Sequence, residues 1–317
     1  MVLSANPFSN SRQFGKYTVQ QRLGSGANST IFEVTDPQGQ PFALKRVTKR
    51  TLSDERFFVQ AENEYEVGRT VDHPAVRKIY ELLRIRSLFR VKEIHLIMEM
   101  FYGQTLETLQ PTDMQVIAKI FHQAAEGLAA MHAAGFAHAD TKPNNILVGS
   151  DGQVKLIDLG QSCPLGTIKQ RIQGTPDYIA PEQVHRRPID QRTDVYNIGA
   201  TLYWVLTGRH VPTVLPRMQP GREIALVTSA IVPAPAELNP RVPPALSRMA
   251  MDCTNNDPAE RPADMRAVAN RLEMIEVILD REAGQLPAAD PGRPGEPGAA
   301  HSDSDDTTVD MIDIGID

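Results

Sequence analysis

The chain has 317 residues, 41% of them apolar, and a formal net charge of −6, so it can bury a core of one large domain or two lobes. Nine acidic and two basic side chains fall in residues 281–317, which leaves a nearly neutral body with no electrostatic case for nucleic-acid binding. Two cysteines, Cys163 and Cys253, supply neither a disulfide framework nor a metal-ligand spacing.

Residues 1–14 are rich in Ser and Asn without periodicity and read as a flexible N-terminal arm. MVLSANPFSN has no basic-then-apolar signal and no Gly after Met, and no stretch reaches the ~20 apolar residues of a membrane span. A cytoplasmic protein is expected. From Lys16 to about Met100 strand patterns dominate, in KYTVQQRL, TIFEV, PFALKRV and EIHLIMEM. One helix interrupts them, expected from near Ser53 through ERFFVQAENEYEVGR to just before His73–Pro74.

After Gly103 the pattern turns helical. One helix is expected to begin at TDMQ, where Thr112 and Gln115 have capping-box spacing, and to stop at Gly135. Ile117, Ile120, Phe121, Ala124, Leu128 and Met131 give it a single apolar face. A second, DVYNIGATLYWVL, is apolar nearly all round and belongs at the centre of a large lobe. PAADPGRPGEPG and SDSDD cannot bury enough apolar surface to order themselves, so 281–317 read as a disordered Pro/Gly-rich acidic tail.

LGSGANSTIFEV sets Gly24 and Gly26 between two strands, where backbone N–H groups can approach phosphate oxygens, although such a turn alone is more often a plain hairpin. Lys45 in FALKRV is a charge amid apolar residues that needs a partner or the surface. HADTKPNNIL, residues 138–147, places Asp140, Lys142 and Asn145 within six residues. Phosphoryl transfer uses such a set to orient a hydroxyl, neutralise a phosphate and hold a metal. Thirteen residues after Asn145, VKLIDLG ends an apolar strand on Asp158. Carboxylate and amide oxygens are hard ligands suited to Mg²⁺. Each Asp alone also suits a turn or a helix cap; the two at this spacing favour chemistry.

These segments jointly resemble a eukaryotic-type (Hanks-type) Ser/Thr protein kinase domain from about Tyr17 to Leu279, with a layout similar to bacterial cytosolic members. The resemblance implies an α+β, two-lobed protein-kinase-like fold over 15–280. Its N-lobe, about 15–100, is a small antiparallel β-sheet with one key helix, and its C-lobe, about 103–280, is mainly helical. It also implies transfer of the γ-phosphate of Mg-ATP, with Mn²⁺ as an alternative ion, to Ser/Thr hydroxyls of protein substrates and of the chain itself.

By the same resemblance, Leu23, Gly24, Ser25, Gly26 and Ile31 cover the nucleotide, and Ala43 borders it. Lys45 holds its phosphates and is oriented by Glu64, with Met98 as gatekeeper and Glu99 to Met100 as hinge. Asp140 accepts the hydroxyl's proton, Lys142 contacts the γ-phosphate, and Asn145 and Asp158 ligate the metal. Glu182 of GTPDYIAPE pairs with Arg261, and Asp194 braces the catalytic loop. Asp-Thr-Lys-Pro-Asn-Asn and Gly174-Thr175 resemble Ser/Thr rather than Tyr kinases.

Three positions depart from the family: Ser29 for the third loop glycine, Leu159 for Phe after Asp158, and Ala139 for Arg before Asp140. Ala139 cannot receive a loop phosphate as a guanidinium does, so activity is expected without phosphorylation of Ser162 or Thr167. Thr175 is expected beside Asp140 and Lys142. In the tail, Thr307 and Thr308 precede Asp310 at a spacing resembling that read by forkhead-associated domains, against the simpler reading of a solvated acidic tail. Cys163 is expected to be an inert thiol rather than a redox handle, Cys253 to be core, and His138 to pack rather than act as a base. A pseudokinase scaffold is the alternative, opposed by Lys45, Glu64, Asp140, Asn145 and Asp158. A small-molecule kinase is opposed by the Thr175–Glu182 segment and Arg261.

Overall fold

In the computed structural model, which describes residues 13–26, 28–49, 51, 54–87, 89–212 and 232–284, the alternating apolar pattern forms six antiparallel strands. These are β1 (Gln13–Phe14), β2 (Tyr17–Ser25), β3 (Ser29–Thr35), β4 (Pro41–Thr48), β5 (Ile79–Ser87) and β6 (Arg90–Glu99), in the spatial order β1-β2-β3-β4-β6-β5. The two-residue period of β4 sends Ala43, Lys45 and Val47 to one face and Phe42 and Leu44 to the other. The first face packs on α1 (Glu55–Thr70) through Phe58 and Ala61, with Ile94, Leu96 and Met98 of β6 beside them. The second closes over Phe14, Tyr17, Phe32, Val34 and Ile97. Residues 13 and 14, expected in the N-terminal arm, belong to the sheet: Phe14 pairs with Tyr17 and is buried between the rings of Phe32 and His95.

The remainder is mainly helical: α2 (Leu106–Leu109), α3 (Met114–Ala133), α4 (Pro181–Val184), α5 (Gln191–Thr207), α6 (Pro235–Leu238), α7 (Pro244–Cys253) and α8 (Met265–Glu282). Short strands β7 (Gly103–Thr105), β9 (Ile146–Gly149) and β10 (Val154–Leu156) form a three-stranded sheet, and β8 (Phe136–Ala137) pairs with β11 (Cys163–Pro164). The predicted cap of α3 is one residue off. Asp113, not Thr112, accepts from the N–H groups of Gln115 and Val116, because a carboxylate both bonds these orphan donors and complements the positive helix end. Past Ala133, Gly135 takes φ +87° and turns the chain into β8.

α5 is buried nearly all round, capped by Asp190 and stopped by Gly208. Its Gly199 lets α7 approach so closely that a Cβ there would lie 2.4 Å from Cys253 Cβ. α8 runs to Glu282, two residues beyond the expected boundary at 280, with Ile275 and Leu279 still packed in the core. The two regions join where Leu156 of β10 exchanges backbone hydrogen bonds with Ala75 and Arg77. Residues 1–12 and 285–317, with Thr307 and Thr308, lie outside the described residues, as does Ser53 at the expected start of α1. Among the described residues no helix is long and apolar enough to cross a membrane.

Candidate active site

β4 and α1 bring the first two charges together. Lys45 projects toward α1, and its Nζ lies 2.6 Å from Glu64 Oε2 and 3.1 Å from Asp158 Oδ1. Burial alone would depress the Lys45 ammonium, but the carboxylates of Glu64 and Asp158 outweigh it and hold the pKa above the ordinary lysine range. Lys45, with its charge opposite, holds Asp158 below the usual carboxylate range against the effect of burial. The pair is therefore ionised.

Asp158 itself sits at φ +59°, ψ +58°, a left-handed conformation costly for a non-glycine residue. The segment after it is tied to α1 by Asn63, whose amide donates to Ser162 O at 2.7 Å and to Gly160 O at 3.3 Å. A cavity of about 190 Å³ opens here, lined by Gly26, Ser29, Lys45, Glu64, Asp158 and Gly160 among others. Above it, Gly26 N–H donates to Ser29 O at 2.9 Å, closing the turn between β2 and β3. Gly24 has open space where a side chain would stand. Leu23 and Ser25 are exposed on β2, Ile31 faces Lys45 across the strand pair, and Ala43 and Met98 are buried as direct neighbours. Glu99 turns its carboxylate to Lys155, 2.6 Å away, and gives its N–H to Lys78 O; half-buried Met100 follows beyond the end of β6.

The loop after β8 holds the second group. Lys142 Nζ is 3.0 Å from Asp140 Oδ2 and donates to Thr175 Oγ1 at 2.7 Å; that hydroxyl in turn donates to Asp140 Oδ1 at 2.9 Å. Asn145 gives its amide N–H to Asp140 O at 2.8 Å. His138 is fully buried, with Nδ1 accepting from Asp140 N–H and Nε2 bonded to Ile157 O, so it packs the loop rather than facing the cavity.

Two buried carboxylates from the helical region hold this loop and the segment after it. Asp194 accepts from the backbone N–H groups of His138 and Ala139 at 2.8 and 2.7 Å and pairs with His132 at 2.8 Å. Glu182 forms a two-pronged pair with Arg261 at 2.8 and 2.9 Å and accepts the Thr193 hydroxyl. Burial would raise both carboxyls, yet these donors and cations hold them below the ordinary range.

Sequence reasoning missed Asn63 and Gln183. The buried Gln183 amide donates to Ala139 O at 2.9 Å and Gln173 O at 3.3 Å, while its oxygen accepts from Ala180 and Asn197. Each amide stands among charged neighbours, Asn63 between Glu62 and Glu64 and Gln183 after Glu182, so nothing in the local sequence marked either as buried.

Of the phosphosite candidates, Ser162 is 3% exposed and its hydroxyl is enclosed, so it is closed to a phosphate donor in this conformation. Thr167 donates to Pro164 O at 2.6 Å. Cys163 and Cys253 are both buried. Burial pushes the Cys163 thiol up and carries Cys253 to about 12.

The protein kinase domain family matches residues 17–272. The serine/threonine-protein kinase PknL of Mycobacterium tuberculosis is 32% identical over 283 residues, covering 86% of this chain and 69% of its own length. PkaB of Streptomyces coelicolor, also a serine/threonine-protein kinase, is 28% identical over 294 residues, covering 86% of this chain and 65% of PkaB. An Aurora kinase of Candida glabrata is 28% identical over 213 residues, covering 65% of this chain and 58% of the relative. The match spans both the sheet that carries Lys45 and the helical region that holds Asp194 and Arg261, and the chain belongs to the protein kinase domain family, as a serine/threonine kinase of the Hanks type.

Proposed function

We propose that this kinase moves the γ-phosphate of Mg-ATP onto Ser and Thr hydroxyls of proteins, its own included, with Asp140 orienting the acceptor hydroxyl and taking its proton. The observation that carries the assignment is the hydroxyl already seated there: Thr175 Oγ1 donates to Asp140 Oδ1 at 2.9 Å while Lys142 Nζ stands 2.7 Å from Thr175 Oγ1. A substrate hydroxyl needs that acceptor, and a phosphoryl group needs that cation.

Protein kinases use ATP and a divalent metal. Asn145 commits its N–H to Asp140 O, which leaves its carbonyl oxygen for a cation, and Asp158 keeps one carboxylate oxygen beyond the one bonded to Lys45. Among the described residues no cluster of three or more His, Cys, Asp or Glu suits a metal. One amide and one carboxylate are a partial set, and they fit Mg²⁺, which keeps waters and takes its other ligands from phosphates; Mn²⁺ has the same hard-oxygen preference. The metal, when bound, neutralises charge on the phosphates. Lys45, kept charged by Glu64 and Asp158, presents a fixed ammonium at the floor of the cavity.

Ala139 supports activity without loop phosphorylation, since its methyl group offers nothing to a phosphate. ATP use and two unpaired thiols support a cytoplasmic place of action. A phosphothreonine-reading partner at Thr307 or Thr308 is a separate proposal, removed by equal binding of phosphorylated and unphosphorylated tail peptides to forkhead-associated domains.

Transfer of labelled phosphate to a generic protein acceptor, compared between wild type and Asp140→Asn, tests the assignment. Loss of a general base lowers the rate by about 10²–10⁴ while nucleotide binding persists. Wild type that binds ATP yet labels nothing would turn the reading to a pseudokinase scaffold.

A further inference from the structure

We propose that the Lys169 ammonium is a positioning group that locks the 158–182 segment in its working place, a task performed by a charge built into the segment rather than by an added phosphate. This rests on the kinase reading above. Ala139 is 2% exposed at φ +61°, packed with Ala137, Leu165, Cys163 and Ile189, and brings no cation under the segment. The segment's Ser and Thr hydroxyls are already engaged or enclosed: Ser162 is buried, Thr167 bonds Pro164 O, and Thr175 bonds Asp140 and Lys142. The order of this segment therefore comes from other contacts.

Its middle is held by backbone: Gly166 N–H donates to Ile189 O at 2.7 Å, and Ile189 N–H donates to Thr167 O at 2.9 Å. Two residues later the half-buried Lys169 folds back and donates from Nζ to Gln161 O at 2.6 Å. Burial lowers its pKa, and the carboxylates of Asp140 and Asp194 oppose that shift. A charged donor on a carbonyl is worth more than a neutral one, and more again where water is partly excluded.

The position of the acceptor gives the bond its reach. Gln161 O and Ser162 O are consecutive carbonyls, the first taken by Lys169 and the second by Asn63 of α1 at 2.7 Å. Asn63 is the neighbour of Glu64, which orients Lys45. One short stretch of backbone is thus gripped from the segment on one side and from the helix carrying Glu64 on the other. Losing the Lys169 bond frees the segment's centre to leave that stretch, and with it the alignment of acceptor to Asp140.

The experiment compares wild type, dephosphorylated wild type, Lys169→Met and Lys169→Arg, with steady-state transfer to a generic protein acceptor, ATP affinity and thermal unfolding measured for each. The expected result is full activity after protein-phosphatase treatment. Lys169→Met should lose about tenfold or more in kcat/KM for the acceptor while ATP affinity stays near wild type, and Lys169→Arg, which keeps a donor and a charge, should recover most of the loss. Wild-type activity abolished by dephosphorylation, or Lys169→Met equal to wild type, overturns the proposal while leaving the kinase reading intact. Should Lys169→Met fail to fold, Lys169→Gln takes its place under the same criteria. Absence of transfer by every form, wild type included, would instead sink the kinase reading.

Discussion

The carboxylate of Asp194 receives the backbone N–H of Ala139 at 2.7 Å, pinning from inside the helical region a residue whose φ of +61° is costly for alanine. The other oxygen of Asp194 takes His138 N–H and His132 Nε2, each at 2.8 Å. Three donors on one fully buried carboxylate hold the turn that delivers Asp140.

Asp194→Asn keeps the shape but replaces one acceptor oxygen by a donor, so at least one of these N–H groups meets another N–H. With hydrogen bonds to a charged group worth about 1.5–3 kcal/mol each, the variant should lose about 3 kcal/mol or more of stability together with most transfer activity. Urea unfolding measures the first. A change below about 0.5 kcal/mol would place Asp194 among residues without a structural burden.

Glu182 and Arg261 set the acid limit. Glu182 has a folded pKa below its ordinary value, as does Asp194, and Glu93 is brought to about 2 by its bond to Arg46. A carboxyl depressed by folding contributes stability that is full above its unfolded pKa, about 4, and fades as pH falls through the folded value. Stability should therefore decline below about pH 4. Glu182→Gln should shallow that decline and cost about 3–5 kcal/mol at neutral pH, because it strands the Arg261 guanidinium in the interior. Unfolding free energies across the acid range give both slopes; identical slopes would mean that the pair does not link folding to protons.

Both thiols should resist modification in the folded protein. Cys163 and Cys253 are buried with raised pKa values, Cys253 about 12, and the thiolate is the reactive form. At pH 8, iodoacetamide should label neither until denaturant is added. Rapid labelling of native Cys163 would point to local opening around β11 and would restore it as a redox candidate.

Much of the site was legible because its parts are local. Asp140, Lys142 and Asn145 share one loop, so spacing alone groups them, and β4's two-residue period already puts Lys45 on the face of Ala43 and Val47. The cap of α3 was misplaced by one residue because Thr112 and Asp113 are both good caps and only the local backbone chooses between them. Phe14 gave no signal as a lone apolar residue in a polar stretch; its burial depends on Phe32 and His95 from strands far along the chain. Ser162 was a phosphosite candidate by residue type and place in the chain, and its burial does not follow from its neighbours in sequence.

The sequence by itself determined the chemistry available, strands followed by helices, and which carboxylates and amides stand near one another along the chain, since residue type and periodicity are local properties. The tertiary structure decided the rest: that Lys45 meets both Glu64 and Asp158, that Asn63 and Lys169 grip neighbouring carbonyls, and that Gln183 and Asp194 hold the Ala139 turn from opposite sides. These contacts join residues from about 8 to more than 100 positions apart. The order they impose comes from burial, where a donor and acceptor excluded from water must find each other, and no local pattern encodes which partner that is.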